Sequence, residues 1–185
     1  MSSLQKFHRR TLTSGGYVAV DTLAPTSNMG DGSGNATTGY YIGGFTGGIK
    51  LYIAPKSTEV KKTWGSQGTV RGTTFVNNGL ANTNILATFG TAAHPAAYYC
   101  KNLTTGGYNT WYMPAKNEVM TIYSNKGKTP FAVANGFGNY GNVMTSSEYN
   151  GTYSWEFSRL GVAYNTAFNK SYAGNYVRAV RRSAI

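Results

Sequence analysis

Cys100, His8, His94 and six carboxylates are what this 185-residue chain offers for covalent, acid–base or metal chemistry. The lone thiol can form no internal disulfide, and neither histidine stands at a spacing that pairs it with Cys100 as a base. A free cysteine on an apolar helix face is far more often a small buried side chain than a nucleophile, so Cys100 is expected in the core. The carboxylates make no close pair that would divide acid and base roles. Two distant histidines and one cysteine make no ligand set for a metal. The expectation is a non-enzymatic chain with no catalytic residue, metal or cofactor.

Binding chemistry is better represented. Between Tyr149 and Tyr176 the chain is rich in Tyr, Asn, Ser and Gly. Tyr supplies large contacts with a polar tip, and the small polar residues supply adaptable hydrogen bonds. Within that stretch Trp155 and Phe157 alternate with Ser154, Glu156 and Ser158, the period of a strand with one core face. Trp155 and Phe157 are assigned to the core. Tyr149, Asn150, Tyr153, Asn165, Asn169, Lys170 and Tyr172 are assigned to loops forming a ligand face.

The net charge of +11, from 17 Lys and Arg against 6 Asp and Glu, points to a polyanionic partner. Lys6, Arg9 and Arg10 lie in an arm of little apolar content and are the candidates for an assembly or polyanion contact. Lys61 and Lys62, with Lys56 nearby, read as a solvated edge. Nucleic acid is not the expected partner, because no zinc-finger spacing, RNA-binding aromatic motif or basic helix is present.

These residues need elements to position them. Ile85, Leu86, Phe89, Ala93, Ala96, Ala97 and Cys100 recur at helical spacing, but Pro95 argues against one continuous helix. The main helix is placed at about 93–102, after a looser lead-in at 82–90, and Gly106 and Gly107 end it. A second short helix is expected at about 115–125, with Glu118, Val119, Ile122 and Tyr123 as its stripe. Gly43-Gly44 and Gly47-Gly48 flank Phe45-Thr46 and precede the alternating Ile49–Ile53, which reads as a hairpin and not a phosphate loop. Residues 1–39 have the texture of an arm or adaptor, and residues 40–185 that of one domain. Charged residues are only 12% of the chain, while Gly numbers 24 and Tyr 15, a balance of short strands and ordered turns. No run of about 20 apolar residues could span a bilayer, and the basic N-terminus lacks a following apolar signal core, so no membrane insertion is expected.

Gly106-Gly107-Tyr108, Trp111-Tyr112, Pro114 and Glu118-Val119 together resemble a signature of the C-terminal domain of collagen-like adhesins, a branch of the C-type-lectin-like fold. Met144-Thr145-Ser146-Ser147-Glu148-Tyr149 is similar to that family's Trp-Ser-Ser-Thr-Glu-Tyr element. Ser154–Phe157 resembles its aromatic strand and Tyr176–Arg181 its closing Val-Arg-x-Val-Arg strand. The chain departs from the pattern at Ala115, where a capping Ser is lost, at Met144, where a Trp is expected, and at Thr110, where an Asp is expected. The resemblance implies an α+β, C-type-lectin-like fold with two short helices packed on a twisted, mainly antiparallel β-sheet with long ordered loops. It also implies a structural role for Arg178 or Arg181, pairing with Glu118, Glu148 or Glu156. Formylglycine-generating enzymes share this broad fold but use cysteines that a chain with Cys100 alone cannot supply. The Glu-Pro-Asn and Trp-Asn-Asp motifs of calcium-dependent sugar binding are absent.

The functional expectation is a bacteriophage virion protein assembled in the host cytoplasm, as a capsid decoration, head fibre or tail receptor-binding component. Its partners would be other virion proteins through the arm and a host-surface glycan or protein through the loops, and it would be a homo-oligomer. The alternative expectation is a bacterial cell-surface adhesin module for acidic or sulfated glycans. The resemblance also brings in an enzyme of the same fold with Cys100 as its reactive group, which a slowly reacting, buried thiol would count against.

Overall fold

The computed structural model describes residues 25–29, 33–35, 39–46, 48–124, 142–158 and 165–184. Lys6, Arg9 and Arg10 lie outside the described residues. In chain order the elements are β1 (Pro25–Met29), β2 (Gly34–Asn35), β3 (Gly39–Phe45), β4 (Ile49–Ile53) and β5 (Val60–Lys61). Helices α1 (Gly79–Ala87), α2 (Gly90–Ala93), α3 (Pro95–Lys101) and α4 (Lys116–Ser124) follow. The chain closes with β6 (Asn142–Glu148), β7 (Tyr153–Ser158), β8 (Asn165–Asn169), β9 (Tyr176–Val177) and β10 (Val180–Ala184).

The class is α+β, but the strands form two sheets where the sequence led us to expect one. The first runs β1-β3-β4-β10 with β2 added to β3, and the second runs β5-β9-β6-β7-β8. All pairings are antiparallel except β6 with β9. The expected hairpin is present, with Phe45 opposite Ile49 and the positive φ of Gly48, 74°, turning the chain. β1 and β2 pair with β3, so residues 25–29 and 34–35 join the first sheet.

The helices also differ from expectation. The looser lead-in at 82–90 is the nine-residue α1, started by Asn78, whose Oδ1 accepts from Ala81 N at 3.1 Å. Its buried face carries Asn82 and Thr83 beside Leu86, so its apolar periodicity is weak. Asn82 Nδ2 donates to Phe75 O at 2.7 Å, and Thr83 Oγ1 donates to Met113 O at 3.1 Å, which pairs these donors in the core, while Asn82 Oδ1 is buried without a hydrogen bond. Pro95 takes the first position of α3, where a missing N–H costs nothing.

One core cluster gathers Tyr40, Ile42, Leu51 and Ile53 of the first sheet with Val119 and Ile122 of α4 and Val143 and Phe157 of the second. The other joins Leu86, Ala96, Ala97 and Cys100 to Trp64, Trp111, Met113, Met144 and Val177. Met144 therefore fills the core position where an aromatic was expected. Cys100 is buried and burial pushes its thiol pKa up, as a structural cysteine requires.

Ala115 does remove a capping hydroxyl, yet the start of α4 is satisfied from elsewhere. Glu118 Oε2 accepts from Ala115 N at 2.7 Å and from Gly79 N at 3.1 Å. Ser147 Oγ of β6 accepts from Lys116 N at 3.0 Å, and Val76 O accepts from Asn117 N at 2.8 Å. Half of the capping box remains, and a neighbouring strand takes up the first free N–H of the helix, that of Lys116. Tyr112 Oη donates to Glu118 Oε1 at 2.6 Å, and Arg182 forms an ion pair with the same oxygen at 2.8 Å.

Candidate functional site

The end of the second sheet nearest the β6–β7 turn is built around a buried ion pair. Glu148, the last residue of β6, accepts Lys170 Nζ on Oε1. Each of its oxygens lies 3.0 Å from Arg71 N, and Oε2 also accepts from Gly72 N at 3.0 Å. Lys170 Nζ donates further to Thr69 O at 3.0 Å and lies 4.6 Å from the Trp64 ring centroid. Both side chains are sealed from solvent, at 0% and 1% exposure for Lys170 and Glu148. An ion pair removed from water this far is held by the completeness of its hydrogen bonds.

His94 extends the cluster. Its Nε2 accepts from Arg71 Nε at 3.0 Å, so the ring proton sits on Nδ1 and is donated to Trp64 O, also at 3.0 Å. Burial, and then the charges of Arg71 and Lys170, lower the His94 pKa, against the Trp64 carbonyl and Glu148, which act in the other direction. The imidazole is thus held neutral. Gly65 is required beside it, because a Cβ there would lie 2.5 Å from His94 Nδ1.

Over this hub lie two adjacent turns. Tyr153 pairs with Asn169 across β7 and β8, and Lys170 N donates to Thr152 O at 3.1 Å. In the first turn Asn150 Oδ1 accepts from Thr152 N and Tyr153 N, each at 2.9 Å. In the second, Asn169 Oδ1 accepts from Ser171 N and Ser171 Oγ, each at 2.9 Å. These are side-chain-closed turns, the local use to which Asn is most prone. The loop at 65–72 joins them through Gly68 N to Gly151 O at 3.0 Å and Gln67 Nε2 to Ser171 Oγ at 3.0 Å.

The result is a face with Tyr149, Tyr153 and Tyr172 exposed at 53%, 39% and 54%. Tyr149 packs edge-on to the half-buried Trp155 at 4.8 Å, and Lys116 Nζ stands 3.8 Å from the Trp155 ring centroid. Trp155 is therefore the inner edge of this face and not a core residue as expected, while Phe157 is in the core. Along β7 the side Tyr153, Trp155, Phe157 grades from exposed to buried. The opposite side is buried too, through Ser154 and Glu156, so the expected polar-out alternation fails because the strand is covered on both faces.

Of the expected ligand-face residues, Tyr149, Asn150, Tyr153, Asn169 and Tyr172 come together. Lys170 does not belong to that face: it is buried beneath it, its ammonium committed to Glu148. Asn165 begins β8 opposite Phe157, at the far end of the strand from Asn169 and about 13 Å away along it. The Arg assignments shift as well. Arg182 holds Glu118, while Arg178 donates to Ala54 O at 2.7 Å and Arg181 stacks on Tyr108 at 3.8 Å and Tyr52 at 4.2 Å. Glu148 pairs with Lys170, and Glu156 takes both of its oxygens to Asn175 Nδ2 at 2.7 Å. Sequence reasoning missed Trp64, Gln67 and Arg71, whose partners lie far along the chain. The positive φ of Gly68 and Gly72, 82° and 75°, marks the loop without revealing what it packs on.

No protein-family model and no characterised protein matches this sequence.

Proposed function

We propose that the chain is a non-enzymatic attachment or structural protein of a bacteriophage virion, displaying a C-type-lectin-like domain whose ligand face is the turn end of the second sheet. The observation that carries the ligand face is the convergence of Tyr149, Tyr153 and Tyr172 from two turns over a hub whose polar groups are already engaged. Such a face presents rigid aromatic contacts with polar tips on a fixed base, at low ordering cost on binding. The lectin-like assignment rests on the motif residues holding structural posts: Gly106 turns with φ 67°, Trp111 is buried, and Glu118 anchors α4. The step from fold to virion is by analogy, since one fold hosts many functions.

Changing Tyr149, Tyr153 and Tyr172 together to Ala is expected to abolish attachment to host cells in a pull-down while the melting temperature moves by only a few degrees. Undiminished attachment by a folded variant would remove the ligand face. Immunogold microscopy with an antibody to residues 40–182 tests location: label on capsids or tails is the expected result, and label on cell envelopes alone would replace the virion reading with the surface adhesin.

A further inference from the structure

The described carboxylates are all withdrawn from solvent. Side-chain exposure is 4% for Glu59, 0% for Glu118 and 1% for Glu148, and Glu156 is 0% exposed. Lys61 and Lys101 are meanwhile exposed, and Lys50, Lys56, Lys62, Arg71 and Lys116 are half-buried. Among the described residues, the surface therefore presents cations with no exposed carboxylate side chain.

One concavity combines that charge with shape. A groove of about 390 Å³ runs between β5 and α3, lined among others by Lys62, Pro95, Tyr98, Tyr99, Asn102 and Thr104. Its walls are tied together. Ala96 N donates to Thr63 O at 3.2 Å, Lys62 N donates to Asn175 O at 3.3 Å, and Tyr99 Oη donates to Thr58 O at 2.7 Å. Lys62 Nζ is drawn across the groove to 5.7 Å from the Tyr99 ring centroid, and Tyr98 is 37% exposed on the helix side.

We infer that this groove is a binding site for an acidic saccharide, separate from the turn face and independent of its reading. Tyr98 offers an exposed ring to the C–H face of a sugar, and Tyr99 packs on the core with Lys62 Nζ over its ring. Asn102 offers its amide oxygen while its Nδ2 is donated to Tyr98 O at 2.8 Å, Thr104 offers a hydroxyl, and Lys62 offers a cation to a carboxylate or sulfate. The volume admits about one or two sugar rings, at the small end of ligand sites. The short groove favours a saccharide over a nucleic-acid strand, which needs a charged track with repeated stacking positions.

Calorimetric titration at low ionic strength with tetragalacturonate tests the site, with maltotetraose as the neutral probe and a thymidine octanucleotide as the nucleic-acid probe. The expected result is binding of the uronate in preference to both others. Lys62→Ala and Tyr98→Ala should each weaken uronate binding by about tenfold or more. Lys62→Arg should retain it, and Lys50→Ala, at a cation of the first sheet that does not line the groove, should leave it unchanged. Both groove positions are at the surface, so an unaltered melting temperature certifies the fold. Absence of uronate binding, equal binding of the octanucleotide or maltotetraose, or wild-type uronate affinity in both Ala variants would overturn the inference.

Discussion

Glu148 and Glu156 sit on neighbouring strands of one sheet, both out of solvent, and are treated in opposite ways. Glu148, at the turn end, receives an ammonium and two backbone N–H groups. Glu156, in the middle of β7, receives Asn175 Nδ2 on both oxygens at 2.7 Å. Burial, opposed in part by the amides of Asn175 and Asn142, raises its pKa to about 8. A buried carboxyl is met by an ion pair where a cation is delivered to it, and is pushed towards the neutral acid where only amides are. The first arrangement fastens three chain segments that meet under the proposed ligand face. The second is a local plug between β7 and the segment before β9.

The largest test of that contrast removes the cation. Lys170→Met leaves Glu148 buried with no countercharge and is expected to cost about 3–5 kcal/mol in denaturant unfolding. Adding Glu148→Gln should restore part of it, because the uncompensated charge goes. A loss under about 1 kcal/mol would mean that the backbone N–H groups alone hold the anion.

Lys170 also shows where sequence reading reaches its limit. Its neighbours Asn169 and Tyr172 were placed at the turn correctly, since Asn and Tyr between strand-like runs mark loops. A lysine in a loop is ordinarily solvated, and nothing local distinguishes one that finds Glu148 22 residues away. Strands, the β3–β4 hairpin, α4 and the buried Cys100 were legible because period and turn chemistry are local. The polar inner face of α1, the second sheet as a separate layer, and the loop at 65–72 were not, because each depends on contacts between distant residues. Glu118 was half legible: its role as a tie was readable, but its cation is Arg182 and its second backbone donor Gly79 N, both supplied by tertiary structure.

His94 gives an intermediate effect on the charged side of the comparison. It is faced by Arg71, Lys170 and Glu148, with the Trp64 carbonyl on Nδ1. Protonation would turn Nε2 into a donor against the Arg71 Nε–H and add a third cation around one carboxylate. Its pKa is lowered from the ordinary 6.5, so the unfolded chain takes up the proton first. Its stabilisation is therefore complete above pH 6.5 and is lost as pH falls below that value. His94→Gln should cost about 1 kcal/mol at pH 7, from the weakened hydrogen bonds, and should reduce the loss of stability on going from pH 7 to pH 5.5. An identical acid slope in variant and wild type would assign that slope to other groups.

Glu156→Gln is expected to be the least destabilising change at neutral pH and to separate the two carboxyls most cleanly. With the folded pKa raised to about 8, the side chain is largely the neutral acid at pH 7 in the folded chain while the unfolded chain has released its proton, so an amide of the same shape should leave stability at pH 7 equal to the wild type's or higher. The sign is opposite to that of His94. Between the ordinary value of 4.5 and about 8 the folded chain holds a proton that the unfolded chain has released, so stability falls as pH rises through that window. The Gln variant cannot release that proton, so its stability from pH 5 to pH 8.5 should fall less steeply than the wild type's and overtake it below pH 7, with the gap widening to about pH 8. Glu148→Gln made alone should be destabilised across the same range, because it leaves the Lys170 ammonium buried without its anion. If the two Gln variants instead behave alike, burial and not the identity of the partner governs both sites, and the contrast between the two ends of this sheet fails.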